Sequence, residues 1–150
     1  MDRSAKEIDR RLDELILRCR ERGMHVTPQR LAIYRALLES EDHPSPEVLF
    51  QRVSKHMPSL ALATIYKALD ALEGLGVIEQ VSPVSETKRY DANSERHHHL
   101  ICTQCKKVVD FYDDGFDALK APRQRAGFVV QTLTVQLKGL CAGCIKRNRQ

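Results

Sequence analysis

A chain of 150 residues is long enough for one medium domain or two small ones. An apolar fraction of 42% beside a charged fraction of 29% is ordinary for a globular protein and argues against disorder. Apolar runs of about eighteen residues are missing, and so is an apolar signal core after Met1, which excludes a membrane span and predicts a cytoplasmic location.

The net charge of +4 excludes little, because it is unevenly spread: residues 1–86 carry 12 Lys and Arg against 14 Asp and Glu, and residues 87–150 carry 12 against 6. A basic stripe of Arg18, Arg20, Arg22, Arg30 and Arg35 suits a phosphate track, but on charge alone such a stripe is more often a solvated face.

Ser4-Ala-Lys-Glu7 is a capping box, after which Ile8, Leu12, Leu15, Ile16 and Cys19 share one helical face, and Gly23 supplies a stop. Cys19 on that face reads as a small buried residue. Thr27-Pro28 opens a second helix, cap followed by proline, with Leu31, Ile33, Tyr34, Leu37 and Leu38 facing inward. Ser45-Pro46-Glu47 repeats the signal for a third helix through Val48, Leu49 and Val53, with Pro58 as its expected end. A fourth runs from about Leu62 to Glu73, burying Ile65, Leu69 and Leu72.

The period then changes. Val77 to Val81 and Lys88 to Asp91 read as two strands around a turn at Ser82-Pro83. Helices followed by a hairpin is the order of a winged helix. Beyond a polar hinge, strands are predicted over 97–103 and 108–112, a helix over 115–121 ended by Pro122, and a β-branched strand over 128–138. The expected fold is α+β: a winged-helix domain over 1–86, a hinge over 87–92, and a small α/β domain over 93–150.

The chemistry lies in the second part. Cys102-Thr-Gln-Cys105 and Cys141-Ala-Gly-Cys144 are two hooks whose spacing lets four sulfurs converge on one ion, predicting a structural zinc that staples a domain too small to hold itself. His97-His98-His99 precedes the first hook; on a strand, His97 and His99 share a side and His98 takes the other. With Asp110, Asp91 and the distant His43, these offer imidazole and carboxylate without thiolate, a set suited to Fe²⁺, Mn²⁺ or Zn²⁺. Taken alone, a triple histidine is as readily a surface tract, and a lone His43 is far more often a turn residue.

Val26-Thr-Pro-Gln-Arg30, His43-Pro44, Ala63-Thr-Ile-Tyr-Lys-Ala-Leu69, Gly76-Val-Ile78, Arg89-Tyr-Asp91, His97-His-His-Leu-Ile-Cys-Thr-Gln-Cys105, Val108-Val-Asp-Phe111 and Cys141-Ala-Gly-Cys144 together resemble the ferric uptake regulator superfamily over almost the whole chain. The resemblance implies a homodimeric repressor of double-stranded operator DNA, with an N-terminal winged helix and a C-terminal dimerisation domain. It implies a structural zinc on Cys102, Cys105, Cys141 and Cys144, and a regulatory Fe(II) or Mn(II) on His43, Asp91, His97, His99 and Asp110. Aspartate at 91 and 110, where the iron-corepressor branch has glutamate, points to the peroxide-sensing branch. Leu133 stands where some relatives place a histidine of a further metal site, which predicts that site's absence. Ala61 replaces the usual serine cap of the recognition helix. Thr64 and Tyr66 are the expected base contacts, with Arg30 and Lys67 on phosphate or base.

The competing reading of the same class is an iron- or zinc-responsive repressor sensing occupancy alone. A metal-dependent hydrolase lacks a general base beside the cluster and a phosphate-binding glycine loop, so no enzyme is predicted. A zinc-ribbon adaptor binding only protein would leave the Tyr66 helix without a purpose beyond packing.

Overall fold

The computed structural model describes residues 4–81, 87–131 and 133–149 and contains two compact units, Met1–Ser94 and Glu95–Gln150. The first holds α1 (Ala5–Glu21), α2 (Pro28–Leu38), α3 (Pro46–Val53), α4 (Leu62–Gly74), β1 (Glu79–Val81) and β2 (Arg89–Asp91). Three helices start where a side-chain oxygen accepts an orphan N–H: Ser4 from Glu7, Thr27 from Arg30 and Ser45 from Val48. The fourth starts at Ala61 without a side-chain cap. Gly23 ends α1 with a φ of 63°, the left-handed turn that sends the Met24 N–H back to the Cys19 carbonyl at 2.8 Å. α3 stops at Val53, well short of Pro58, because the His56 and Met57 N–H groups both close onto the Val53 carbonyl.

Leu15, Ile33, Leu49, Ile65, Leu69 and Leu72 form a fully buried centre among these helices, and Cys19 packs there with 0% exposure. Leu31 and Val48, expected inside, are only half-buried at the margin. β1 and β2 pair antiparallel with Gln80 opposite Tyr90. The expected turn at Ser82-Pro83 lies outside the described residues, as does the expected domain end at Glu86.

Arg11 has no counterpart in the sequence reading. It sits on the inner face of α1 with 7% exposure. Its guanidinium donates to the Tyr34 hydroxyl at 3.0 Å, the Ala92 carbonyl at 3.0 Å and the Ser94 hydroxyl. The chain leaving β2 is thereby tied to α1 and α2.

The second unit is built on a sheet of order β4-β3-β7, from β3 (His98–Cys102), β4 (Val108–Phe111) and β7 (Gln136–Gly139). β3 pairs antiparallel with β4 and parallel with β7. The intervening chain holds α5 (Asp114–Asp117) and a hairpin of β5 (Gln124–Arg125) and β6 (Phe128–Val129), and α6 (Ala142–Asn148) follows β7.

Two expectations fail here, and one element was not foreseen. The helix over 115–121 is a single turn: Asp113 caps it, but Ala118, Leu119 and Lys120 are exposed, so no apolar face rewards its extension. The strand over 128–138 is broken, because Ala126 and Gly127, with φ of 49° and 81°, make a two-residue hairpin turn that commits Phe128 and Val129 to β5. Thr132 of that stretch is outside the described residues. α6 was not anticipated, because Gly143 and three polar residues hide its period; the basic Lys146 and Arg147 in its last turn were the available signal.

Replacing Arg11 with Met keeps the stem but strips the bonds to Tyr34, Ala92 and Ser94. The expected cost is about 1–3 kcal/mol, read as a lower urea midpoint for the helical unit. An unchanged midpoint would mean that the buried guanidinium is not a structural tie.

Candidate metal centres

The four cysteines meet at one point. Cys102 ends β3, Cys105 lies in the knuckle before β4, Cys141 follows β7, and Cys144 is in the first turn of α6. Their sulfurs all lie within 4.8 Å of one another, with Cys102 to Cys144 at 3.8 Å and Cys105 to Cys141 at 3.6 Å. Four ligands at the 2.3 Å zinc–sulfur distance have sulfur–sulfur edges of about 3.8 Å, so the cluster fits a tetrahedral zinc.

Lys106 adopts a φ of 62° to turn the knuckle, and its N–H closes onto the Cys102 carbonyl. Backbone N–H groups of Cys141 and Cys105 hold the Cys102 thiol down at about 5, whereas burial pushes Cys144 up to about 11. Arg147 supplies a cation to Cys144 at 2.9 Å. A zinc ion held by Cys102, Cys105, Cys141 and Cys144 would stabilise all four as thiolates.

The histidine and aspartate donors fall into two groups, one per unit. In the second unit, register explains the grouping: His99 is the direct cross-strand neighbour of Asp110. His97 enters on the same side, with its Nε2 3.0 Å from His99 Nε2, 3.5 Å from Asp110 Oδ1, and His99 Nε2 3.6 Å from that oxygen. The His97 Nδ1 faces the Glu95 carbonyl at 2.7 Å, which fixes the ring as an Nδ1–H donor and aims its Nε2 lone pair at the others. Two imidazole nitrogens and a carboxylate oxygen this close form a partial coordination sphere for a borderline divalent ion.

His98 turns to the opposite face with 0% exposure. It packs between Phe111 and Phe116 at ring separations of 5.4 and 5.8 Å, and its Nε2 meets Asp117 at 3.1 Å. It is a core residue of the unit.

In the first unit, His43 takes a φ of 45°, a conformation that costs a non-glycine residue roughly 1 kcal/mol. The loop is held in it from both sides. Arg52 on α3 grips the Asp42 carboxylate at 2.6 and 3.0 Å, holding that carboxyl below the usual range. Arg89 on β2 donates to the His43 carbonyl at 3.1 Å, and the Tyr90 N–H donates to the Pro44 carbonyl. These stitches lay the loop along β2, so His43 Nδ1 stands 3.7 Å from Asp91 Oδ1. The Asn93 N–H, at 2.7 Å, orients that carboxylate. Arg52 and Arg89 are supports of this loop that sequence reading missed; the grip on Asp42 and the laying of the loop along β2 reveal them.

Of the expected DNA contacts, Tyr66 and Lys67 are exposed on α4 and Thr64 is half-buried beside them. Arg30 folds back onto the His25 carbonyl.

A four-helix unit closed by a two-stranded sheet, and a unit with a cluster of four cysteines, each carrying imidazole and carboxylate donors, describe a metal-binding regulator. The model of the ferric uptake regulator family matches residues 21–138, and the chain belongs to that family. The peroxide-responsive repressor PerR of Staphylococcus epidermidis is 32% identical over 145 residues, covering 96% of this chain and 97% of that protein. Among solved structures, the Helicobacter pylori ferric uptake regulator shares the fold, with a TM-score of 0.76 at 21% identity over 92% of this chain and 93% of that one. The peroxide sensor PerR from Streptococcus pyogenes superimposes with a TM-score of 0.52 at 27% identity, covering 89% and 92%.

Cys102→Ser removes one corner of the thiolate cluster. The expected outcome is loss of bound zinc together with loss of the sheet signal in circular dichroism, because metal binding and folding are one free energy in so small a unit. A variant that binds no zinc yet keeps its sheet would refute the staple.

Proposed function

We propose that the chain is a cytoplasmic, homodimeric repressor that binds operator DNA when Fe(II) or Mn(II) occupies a five-ligand site, and that senses peroxide through the iron form. The observation that carries the reading is the division of donors: His43 and Asp91 belong to one unit, His97, His99 and Asp110 to the other. Neither group completes a coordination sphere by itself, so an ion held by all five would shift the population toward the conformations that bind it, through differential affinity.

The first unit, expected over 1–86, is the DNA reader. Tyr66, Thr64 and Lys67 on α4 face the major groove, while Arg30, tied to His25, serves a phosphate. The second unit, with its four-cysteine zinc, carries the dimer contact. Register places Val109, Leu100 and Leu137 side by side across three strands, each 38–42% exposed, and an apolar row of this kind suits a second copy of the chain.

A bound Fe(II) would supply electrons to hydrogen peroxide, which Mn(II) would do poorly. His43 and His97 would be the imidazoles within reach: one of them takes one oxygen of the peroxide and the other oxygen leaves as water, a two-electron oxidation of the ring by the peroxide. The loss of that ligand would release the operator. Aspartate rather than glutamate at 91 and 110, and a relative named for peroxide response, favour this over sensing of occupancy alone.

His99→Ala should bind operator DNA more weakly than wild type at limiting metal; equal binding would defeat the five-ligand site. The decisive experiment treats the Fe(II)-loaded protein with a small excess of peroxide and digests it. Peptides heavier by one oxygen should map to His43 and His97, with DNA binding lost in parallel and the Mn(II) form unmodified. His25 and His56, both exposed, are controls. Oxidation shared with them, or none, would leave an occupancy sensor.

A further inference from the structure

Tyr66 is 39% exposed on α4, yet its hydroxyl proton is already committed: it donates to Glu47 Oε1 at 2.6 Å. Glu47 stands in the first turn of α3, behind the Ser45 cap. The Tyr66 hydroxyl, the Glu47 backbone N–H and Ser45 hold its carboxyl below the ordinary range, while the same contact holds the Tyr66 phenol above its own. The pair therefore stays carboxylate and phenol at neutral pH.

A phenol has one proton to give and two lone pairs with which to accept. A proton held by a carboxylate is in a charge-assisted bond about twice as strong as a neutral one. What remains at the Tyr66 oxygen is acceptor capacity alone. In the major groove, adenine N6 and cytosine N4 are donors, whereas guanine O6 and N7 and thymine O4 are acceptors.

We infer that Glu47 is a positioning residue that fixes the hydrogen-bond polarity of Tyr66, so that Tyr66 reads the exocyclic amine of an adenine or cytosine and refuses guanine or thymine at that position. The inference rests on the proposal that α4 is the reading helix. It adds a specificity determinant on a different helix, one that need not touch a base.

The test begins with full-length wild-type protein loaded with Mn(II), used to enrich its preferred duplex from a randomised pool. In that duplex each adenine is replaced in turn by an analogue lacking the N6 amine, and each cytosine by one lacking the N4 amine. One replacement should weaken wild type by roughly threefold to tenfold, the range of one hydrogen bond. Tyr66→Phe should show that loss on the intact duplex and be indifferent to that replacement. Glu47→Ala frees the phenolic proton, so repeating the enrichment with it should admit guanine or thymine at that position.

Both side chains are exposed, so the variants leave the core intact. If Glu47→Ala enriches the same base as wild type, or Tyr66→Phe keeps the full amine dependence, the inference is overturned. It is also overturned if no amine matters, or if Tyr66→Ala weakens binding and Tyr66→Phe does not; α4 then remains the reader without its hydroxyl. Undiminished binding by Tyr66→Ala would instead overturn the reading helix itself.

Discussion

The second unit has almost nothing to bury. Among its described residues, Ile101 and Val108 are the buried aliphatic side chains, joined by Cys102, Cys144 and the two histidines of β3. Apolar burial on that scale does not offset the entropy of ordering some fifty residues. The convergence of four sulfurs is therefore the constraint on which the unit depends. It joins the end of β3, the knuckle, the end of β7 and the start of α6, and so sets the parallel placement of β7 against β3. The imidazole and carboxylate donors of this unit inherit their geometry from this: His99 is three positions from Cys102 on the same strand, and Asp110 follows from the register of β4.

The first unit reaches a defined donor geometry by other means. Its core is large enough to stand without metal, and it spends polar contacts on one loop. Arg52 from α3 and Arg89 from β2 hold the 42–44 backbone against the strand that carries Asp91. A histidine in a left-handed conformation is thus kept near its partner by groups that are not ligands. The two units pre-organise their donors independently, one through a metal staple and the other through arginine-to-carbonyl stitching.

Legibility followed the range of the interaction. Helix starts at Ser4, Thr27 and Ser45 were readable because a cap is a contact three residues long. The cysteine hooks were readable because tetrahedral coordination demands that spacing, and the uncapped start at Ala61 was readable as a missing oxygen. Arg11, Arg52 and Arg89 were not, since nothing beside them in sequence distinguishes a buried or loop-gripping arginine from a solvated one. The alternation of His97, His98 and His99 was predicted, but the aromatic setting of His98 arises from Phe116, beyond the neighbouring strand. The β-branched run after Phe128 misled because its residues favour a strand, while Ala126-Gly127 decided which partner that strand would find.

Cys19 has a chemical consequence of its own. The chain, for which we propose peroxide sensing, carries a fifth thiol, and that thiol is sealed in the helical core with 0% exposure. Formation of a sulfenic acid needs peroxide to reach the sulfur and leaves a polar oxygen in an apolar cavity, so both kinetics and packing oppose it. The thiol chemistry of the folded protein thus reduces to its four clustered cysteines. Thiols titrated in the native state become a direct count of empty zinc sites.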